Sequence, residues 1–121
     1  MQDRTIQIRA FGQTHDVKLN LARYGNNRLA IQLMFRDGEP WGVLTVNIHD
    51  KLLADNEIFV KTWSENEAWV YQVLEQCPDL FEDTDRVQCC GYTQAEVWRI
   101  KGELLEEVLN NKRDLANREP A

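Results

Sequence analysis

The chain has 121 residues, with 14 Lys plus Arg against 20 Asp plus Glu, a formal net charge of -6, 43% hydrophobic positions, six Gly and three Pro. That is apolar material for one core and not for two, so a single domain over 1–121 is expected, with a frayed tail at about 117–121. The composition argues against disorder. The absence of any apolar run near the roughly 18 to 20 residues of a membrane helix argues against insertion, and the polar start Met1–Gln7 against a signal peptide.

From the N-terminus, Ile6 and Ile8 alternate with Gln7 and Arg9, and Val17, Leu19 and Leu21 alternate with Lys18, Asn20 and Ala22. This period of two predicts half-buried strands joined by a turn at 12–15. Gly25-Asn26-Asn27 supplies a second reversal into Leu29, Ile31 and Leu33, and Asp37-Gly38-Glu39-Pro40 a third. The dense run from Trp41 to Ile48 reads as a central strand contacted on both faces, which completes a four-strand antiparallel meander. A fifth short strand is expected around Ile58-Phe59-Val60.

There the period changes. Ser64 with Glu67 three residues on forms a capping box for a helix over about 65–77, with Trp63 and Ala68 at staple positions and Trp69, Val70, Val73, Leu74 and Cys77 as its apolar stripe. Pro78 stops it. From Arg86 to Lys101 the pattern fits two strands about Gly91, and the part from Thr93 also fits a helix running on through Leu104. Gly102 would cost roughly 1 kcal/mol inside such a helix, and Val97, Trp98 and Ile100 favour strand, so strands to Lys101 and a C-terminal helix over about 103–116 are expected. The fold class is α+β, an antiparallel sheet of five to seven strands with one helix packed on it and another at the C-terminus.

The net charge is unevenly laid out: residues 1–49 carry +2, residues 50–107 carry -9 and residues 108–121 carry +1. Glu75, Asp79, Glu82, Asp83 and Asp85 place five carboxylates within eleven residues that hold no base. Such a surface repels nucleic acid and attracts a protein partner with a basic surface, which makes these five the candidate partner-binding residues. A solvated, solubilising face explains them equally well. The stripe Leu104, Leu105, Val108, Leu109 and Leu115 can pack on its own sheet or form a homodimer through the C-terminal helix.

Little points to catalysis. His15 and His49 are the only groups that titrate near neutrality, and both fall in turns or strand ends. No zinc, hydrolase or phosphate-loop motif occurs, and Asp50, Asp55 and Glu57 lack the glycine and closing Glu of a calcium loop, so neither metal nor cofactor is expected. Cys77, Cys89 and Cys90 lack metal spacing and are expected as buried free thiols in a reducing cytoplasm. The bases of the first half, Arg4, Arg9, Lys18, Arg23, Arg28 and Arg36, are diluted by acids and lack the aromatic pattern of a nucleic-acid platform, which makes direct nucleic-acid binding the weaker reading.

The segments Tyr24-Gly25-Asn26-Asn27-Arg28-Leu29-Ala30-Ile31-Gln32-Leu33, Gly38-Glu39-Pro40, Leu44-Thr45-Val46-Asn47-Ile48 and Phe59-Val60-Lys61, followed by Trp63-Ser64-Glu65-Asn66-Glu67, resemble a small family of unknown function. Its members are encoded on bacterial phages, plasmids and conjugative elements. The resemblance implies a cytoplasmic accessory protein of a mobile element and no activity. From that setting comes the expectation of a non-catalytic inhibitor of a host defence system, of the anti-CRISPR or anti-restriction type, acting by protein binding. The alternatives are a regulatory or nucleic-acid-binding module of the element and a small enzyme using His49. Asn47, Lys61, Glu65 and Asn66 are the polar members of the resembling motif. They would meet where the fifth strand joins the helix, and a structural role is the favoured reading.

Overall fold

The computed structural model describes residues 4–48 and 50–118, the side chains of 111–118 excepted. Strands β1 (Thr5–Ala10), β2 (Gln13–Arg23), β3 (Leu29–Met34) and β4 (Pro40–Val43) form an antiparallel meander in the order β1-β2-β3-β4. Ile6, Ile8 and Ala10 alternate inward, as the period of two requires, opposite Val17, Ile31 and Leu33 on the same core. Strands β5 (Glu57–Val60), β6 (Phe81–Cys90) and β7 (Thr93–Ile100) form a second antiparallel sheet in the order β5-β7-β6. Helix α1 (Val70–Gln76) lies between β5 and β6 in the chain, and α2 (Gly102–Arg118) follows β7. The α+β class, the meander and the strand hairpin around Gly91 are as the sequence pattern indicates.

The run from Trp41 to Ile48 is not one central strand. β4 ends at Val43, the Leu44 N–H donates to the Ile31 carbonyl at 2.9 Å, and Thr45 forms an isolated bridge to Val60 in the other sheet. The Val46 N–H then donates to Phe59 O at 3.1 Å. The segment is densely apolar because it crosses from one sheet to the other through the core. Arg28 holds the far side of this crossing. Its guanidinium lies 5.6 Å from the centre of the Phe59 ring and donates to the carbonyls of Ile48 and Lys51, over a satellite core of Ile48, Phe59, Ala95 and Val97.

The expected capping box does not form. Ser64 begins a 3-10 helix, Ser64–Ala68, with φ of +60°, and no side chain caps that helix or α1. Asn66 decides the local conformation. It is 1% exposed, and its side-chain amide donates to Val43 O at 2.7 Å and Lys61 O at 3.0 Å, fastening the turn to the ends of β4 and β5. Two bonds from a buried side chain outweigh one solvent-exposed cap. Trp63 joins the satellite core instead of stapling to Ala68, which is exposed. The apolar stripe of α1 is as expected, with Trp69, Val70, Val73 and Cys77 all buried.

On α2, Leu104 and Val108 are buried in the main core and Leu105 packs against it. Leu104, Leu105 and Val108 of the stripe thus pack on the domain itself, while Leu109 is 36% exposed and the side chain of Leu115 lies outside the described residues. Gly102 opens the helix with φ of +59°, and a Cβ there would stand 2.6 Å from the Asp79 carbonyl. Only glycine fits this junction. Among the described residues no helix is long and apolar enough to cross a membrane.

Candidate protein-binding surface

The inner face of the second sheet changes character along its length. Ile58, Val60, Phe81, Trp98 and Ile100 are fully buried, and Phe81 meets Trp98 edge to face at 5.8 Å. The buried indole N–H of Trp98 donates to Glu96 Oε1 at 3.0 Å, and the Tyr71 hydroxyl, from α1, donates to Glu96 Oε2. One carboxylate thus satisfies two aromatic donors. The bond to Glu96, then burial and the nearby negative charge, push the Tyr71 phenol up to about 12.

Past this point the sheet runs out from under the helix. Val87 stands across from Glu96 in the β6–β7 register and is 54% exposed, Tyr71 is 45% exposed, and Tyr92 at the hairpin tip is fully exposed. Asp83, across from Trp98, and Asp85, in a bulge of β6, rim the patch, whereas Glu75, one turn on from Tyr71, lines a groove with Gln7, Arg9, Gln72 and Gln76 on the β1 side of the helix. The bulge holds Asp85 at φ of +62°, with its N–H donating to Asp83 Oδ1 at 2.9 Å. Thr84 donates its hydroxyl to Val97 O at 2.6 Å and fixes the extra residue.

The five acidic candidates are therefore divided. Asp79 accepts two bonds from the Arg4 guanidinium, at 2.8 and 2.7 Å, which hold its carboxyl below the usual carboxylate range. Glu82 pairs with Arg99 at 2.7 Å. Glu75, Asp83 and Asp85 are in no ion pair among the described residues, and all three are exposed.

β6 is also an open edge. The Gln94 carbonyl and the Ile100 N–H are bonded on the β5 side, while Val97 O and the Lys101 N–H are bonded on the β6 side. The alternation turns Ala95 and Val97 toward Gln88 and Arg86, and leaves the main-chain groups of Val87 and Cys89 facing outward. Among the described residues only the neighbouring Gln88 side chain reaches them, donating to Cys89 O at 3.4 Å.

The polar motif separates into two places. Lys61 pairs with Glu65 at 3.0 Å beside the buried Asn66, and the Glu65 backbone together with Lys61 lowers the Glu65 carboxyl. Asn47 exchanges side-chain bonds with Asn26, at 3.1 and 3.4 Å, on the loop between β2 and β3. His49 lies outside the described residues. His15 is half-buried beside Trp41, ring centres 5.2 Å apart, and Phe35, at 6.2 Å. Cys77 is buried, which raises its thiol, and Cys90 is half-buried, but Cys89 is exposed, against the expectation of three buried thiols. The alternation of the strand sends the two neighbours to opposite faces.

No group of three or more His, Cys, Asp or Glu able to hold a metal occurs among the described residues. Tyr71, Val87 and Glu96 escape a reading of the sequence because their exposure depends on where α1 stops covering the sheet. The one local signal was Asp83-Thr84-Asp85, a polar triplet suited to a bulge. Fold and surface together define a two-sheet α+β domain with an acid-rimmed apolar edge. Comparison with family models, curated proteins and solved structures gave no match to this chain.

Proposed function

We propose that this protein acts without catalysis, by binding an extended basic segment of a protein partner along β6. The observation that carries the reading is the coincidence of three features at one edge: the outward main-chain groups of Val87 and Cys89, the exposed side chains of Val87 and, from α1, Tyr71, and the carboxylates Asp83 and Asp85. Main-chain pairing along a strand edge supplies affinity, and alternate side chains supply specificity. The acids speed encounter with a basic partner and choose it by charge.

In its finer form, which rests on the resemblance to proteins of mobile elements, the partner is a nucleic-acid-processing effector of a bacterial defence system. Occupation of its basic channel would displace a substrate held largely through phosphate charge. A photo-crosslinking amino acid at Val87 and, separately, at Phe11 tests the assignment of the edge in bacterial lysate. A discrete basic protein joined at Val87, absent at Phe11 and lost on Asp83→Lys/Asp85→Lys, is expected. The same adducts from both positions, or adducts indifferent to the charge reversal at low salt, would refute it.

A further inference from the structure

β1 is an edge of the first sheet, and its outward groups at Gln7 and Arg9 are not open. The Gln7 N–H donates to Gln76 Oε1 at 3.0 Å, and Gln76 Nε2 donates back to Gln7 O. The Arg9 N–H donates to Gln72 Oε1 at 2.8 Å, and Gln72 Nε2 donates back to Arg9 O at 2.7 Å. Each glutamine amide thus pairs with one residue of the edge as the facing residue of a neighbouring strand would. The pairing of Ala10 with Gln13 next to the tight turn directs the main chain of Ile6, Ile8 and Ala10 to β2, so that of Thr5, Gln7 and Arg9 turns away from it.

We infer that Gln72 and Gln76 act as a two-rung side-chain strand that seals β1 against pairing with the β1 strand of a second copy of the chain. The spacing makes it possible. Residues four apart on a helix rise by about 6 Å. Residues two apart on an antiparallel strand advance by about 6.8 Å. The two repeats agree closely enough for two rungs, and α1, seven residues long, has its second glutamine on its last residue.

The occupant excluded is a second copy because β1 is complementary to itself. An antiparallel pair with its two-fold axis at Ile8 sets Gln7 against Arg9 of the other chain and Arg9 against its Gln7. No like charges face each other, and the outward main-chain groups make the same number of bonds that the glutamines make within one chain. Exposed edges of this kind associate unless blocked. The intramolecular clamp wins because its partners are already held in place by the core side of α1, where Val70, Val73 and Cys77 are buried.

Amide hydrogen exchange on the full chain reads the clamp directly. In the unaltered protein the Gln7 and Arg9 amides are expected to be protected. Gln76→Leu is expected to speed exchange at Gln7 by about tenfold or more, and Gln72→Leu to do so at Arg9, each leaving the other largely protected. The double variant Gln72→Leu/Gln76→Leu is expected to dimerise in sedimentation, and a further Gln7→Pro, which deletes an outward N–H together with the Gln7 side chain and spares every N–H bonded to β2, to restore the monomer. Rapid exchange at Gln7 and Arg9 in the unaltered protein would overturn the inference, as would a folded double variant that stays monomeric at millimolar concentration or a dimer untouched by Gln7→Pro. If the double variant does not fold, the exchange rates of the single variants still decide the clamp.

Discussion

Strands β1 and β6, each at an edge of its own sheet, face the same physical problem and meet it differently. β1 offers outward main-chain groups at Thr5, Gln7 and Arg9, and Gln72 and Gln76 bond every one of those on Gln7 and Arg9. β6 offers them at Val87 and Cys89, where among the described residues only a long bond from Gln88 to the Cys89 carbonyl reaches the edge. Both edges flank α1, so covering one and leaving the other is a matter of which side chains the helix presents. On the β1 side it presents amides. On the β6 side it presents Tyr71, which turns to Glu96 and leaves the edge open. A strand edge left open costs aggregation risk, which the Asp83 to Asp85 bulge and its carboxylates reduce. Under the proposed function, that edge selects for positive charge.

This contrast can be broken first by disturbing the turn that holds both sides in place. Asp79 bonds Arg4 just ahead of β1, and its carbonyl lies against Gly102, the first residue of α2. Gly102→Ala forces a side chain into that carbonyl and strains a positive φ, and is expected to cost about 2–4 kcal/mol of stability in urea unfolding. Asn66→Ala, which takes the donor from Val43 O and Lys61 O, is expected to cost about 2 kcal/mol. Lys61→Ala removes one exposed ion pair and should barely move the melting temperature. If Asn66→Ala melted like the parent yet lost partner capture, the structural reading of this motif would fail.

Smaller effects sharpen the same comparison through pH. The Asp79 carboxyl titrates lower in the folded chain than in the unfolded one, so its pairing with Arg4 contributes stability that is complete above the ordinary carboxylate value and is lost as pH falls through the lowered folded value. Asp79→Asn should therefore match the parent most closely in strong acid and differ from it near neutrality, read from urea midpoints against pH. At the other side of α1, Tyr71 should titrate at about 12 by ultraviolet absorbance, and Glu96→Gln should bring it down toward the ordinary phenol value near 10. Unchanged titration in that variant would remove Glu96 as the cause.

The meander, the hairpin about Gly91 and the buried stripe of α1 were legible because each follows from a local period: Ile6 with Ile8, Val97 with the residues around it, Val70 with Val73 and Cys77. The capping box misled because Ser64 and Glu67 compete with Asn66, whose partners Val43 and Lys61 are distant or turned away in the sequence and become acceptors only once the sheets are built. The run from Trp41 to Ile48 misled for a related reason: burial on all sides marks a crossing between sheets as well as a central strand. Of the acidic candidates, the clustering of Glu75, Asp83 and Asp85 was visible, but the removal of Asp79 and Glu82 into pairs with Arg4 and Arg99 was not, since those bases lie far along the chain. The glutamines four apart at 72 and 76 were in plain view and carried no meaning until β1 was placed beside them.

The contrast between the edges is tested most directly by following the amides of Gln7, Arg9, Val87 and Cys89 in one exchange experiment, with and without a short peptide of alternating Lys and Val as a basic strand. Free protein should show Gln7 and Arg9 protected and Val87 and Cys89 fast, and the peptide should slow only Val87 and Cys89, less so as salt is raised. Protection already present at Val87 and Cys89 in the free protein, or a peptide that slows Gln7 and Arg9 instead, would contradict the assignment of β6 as the binding edge.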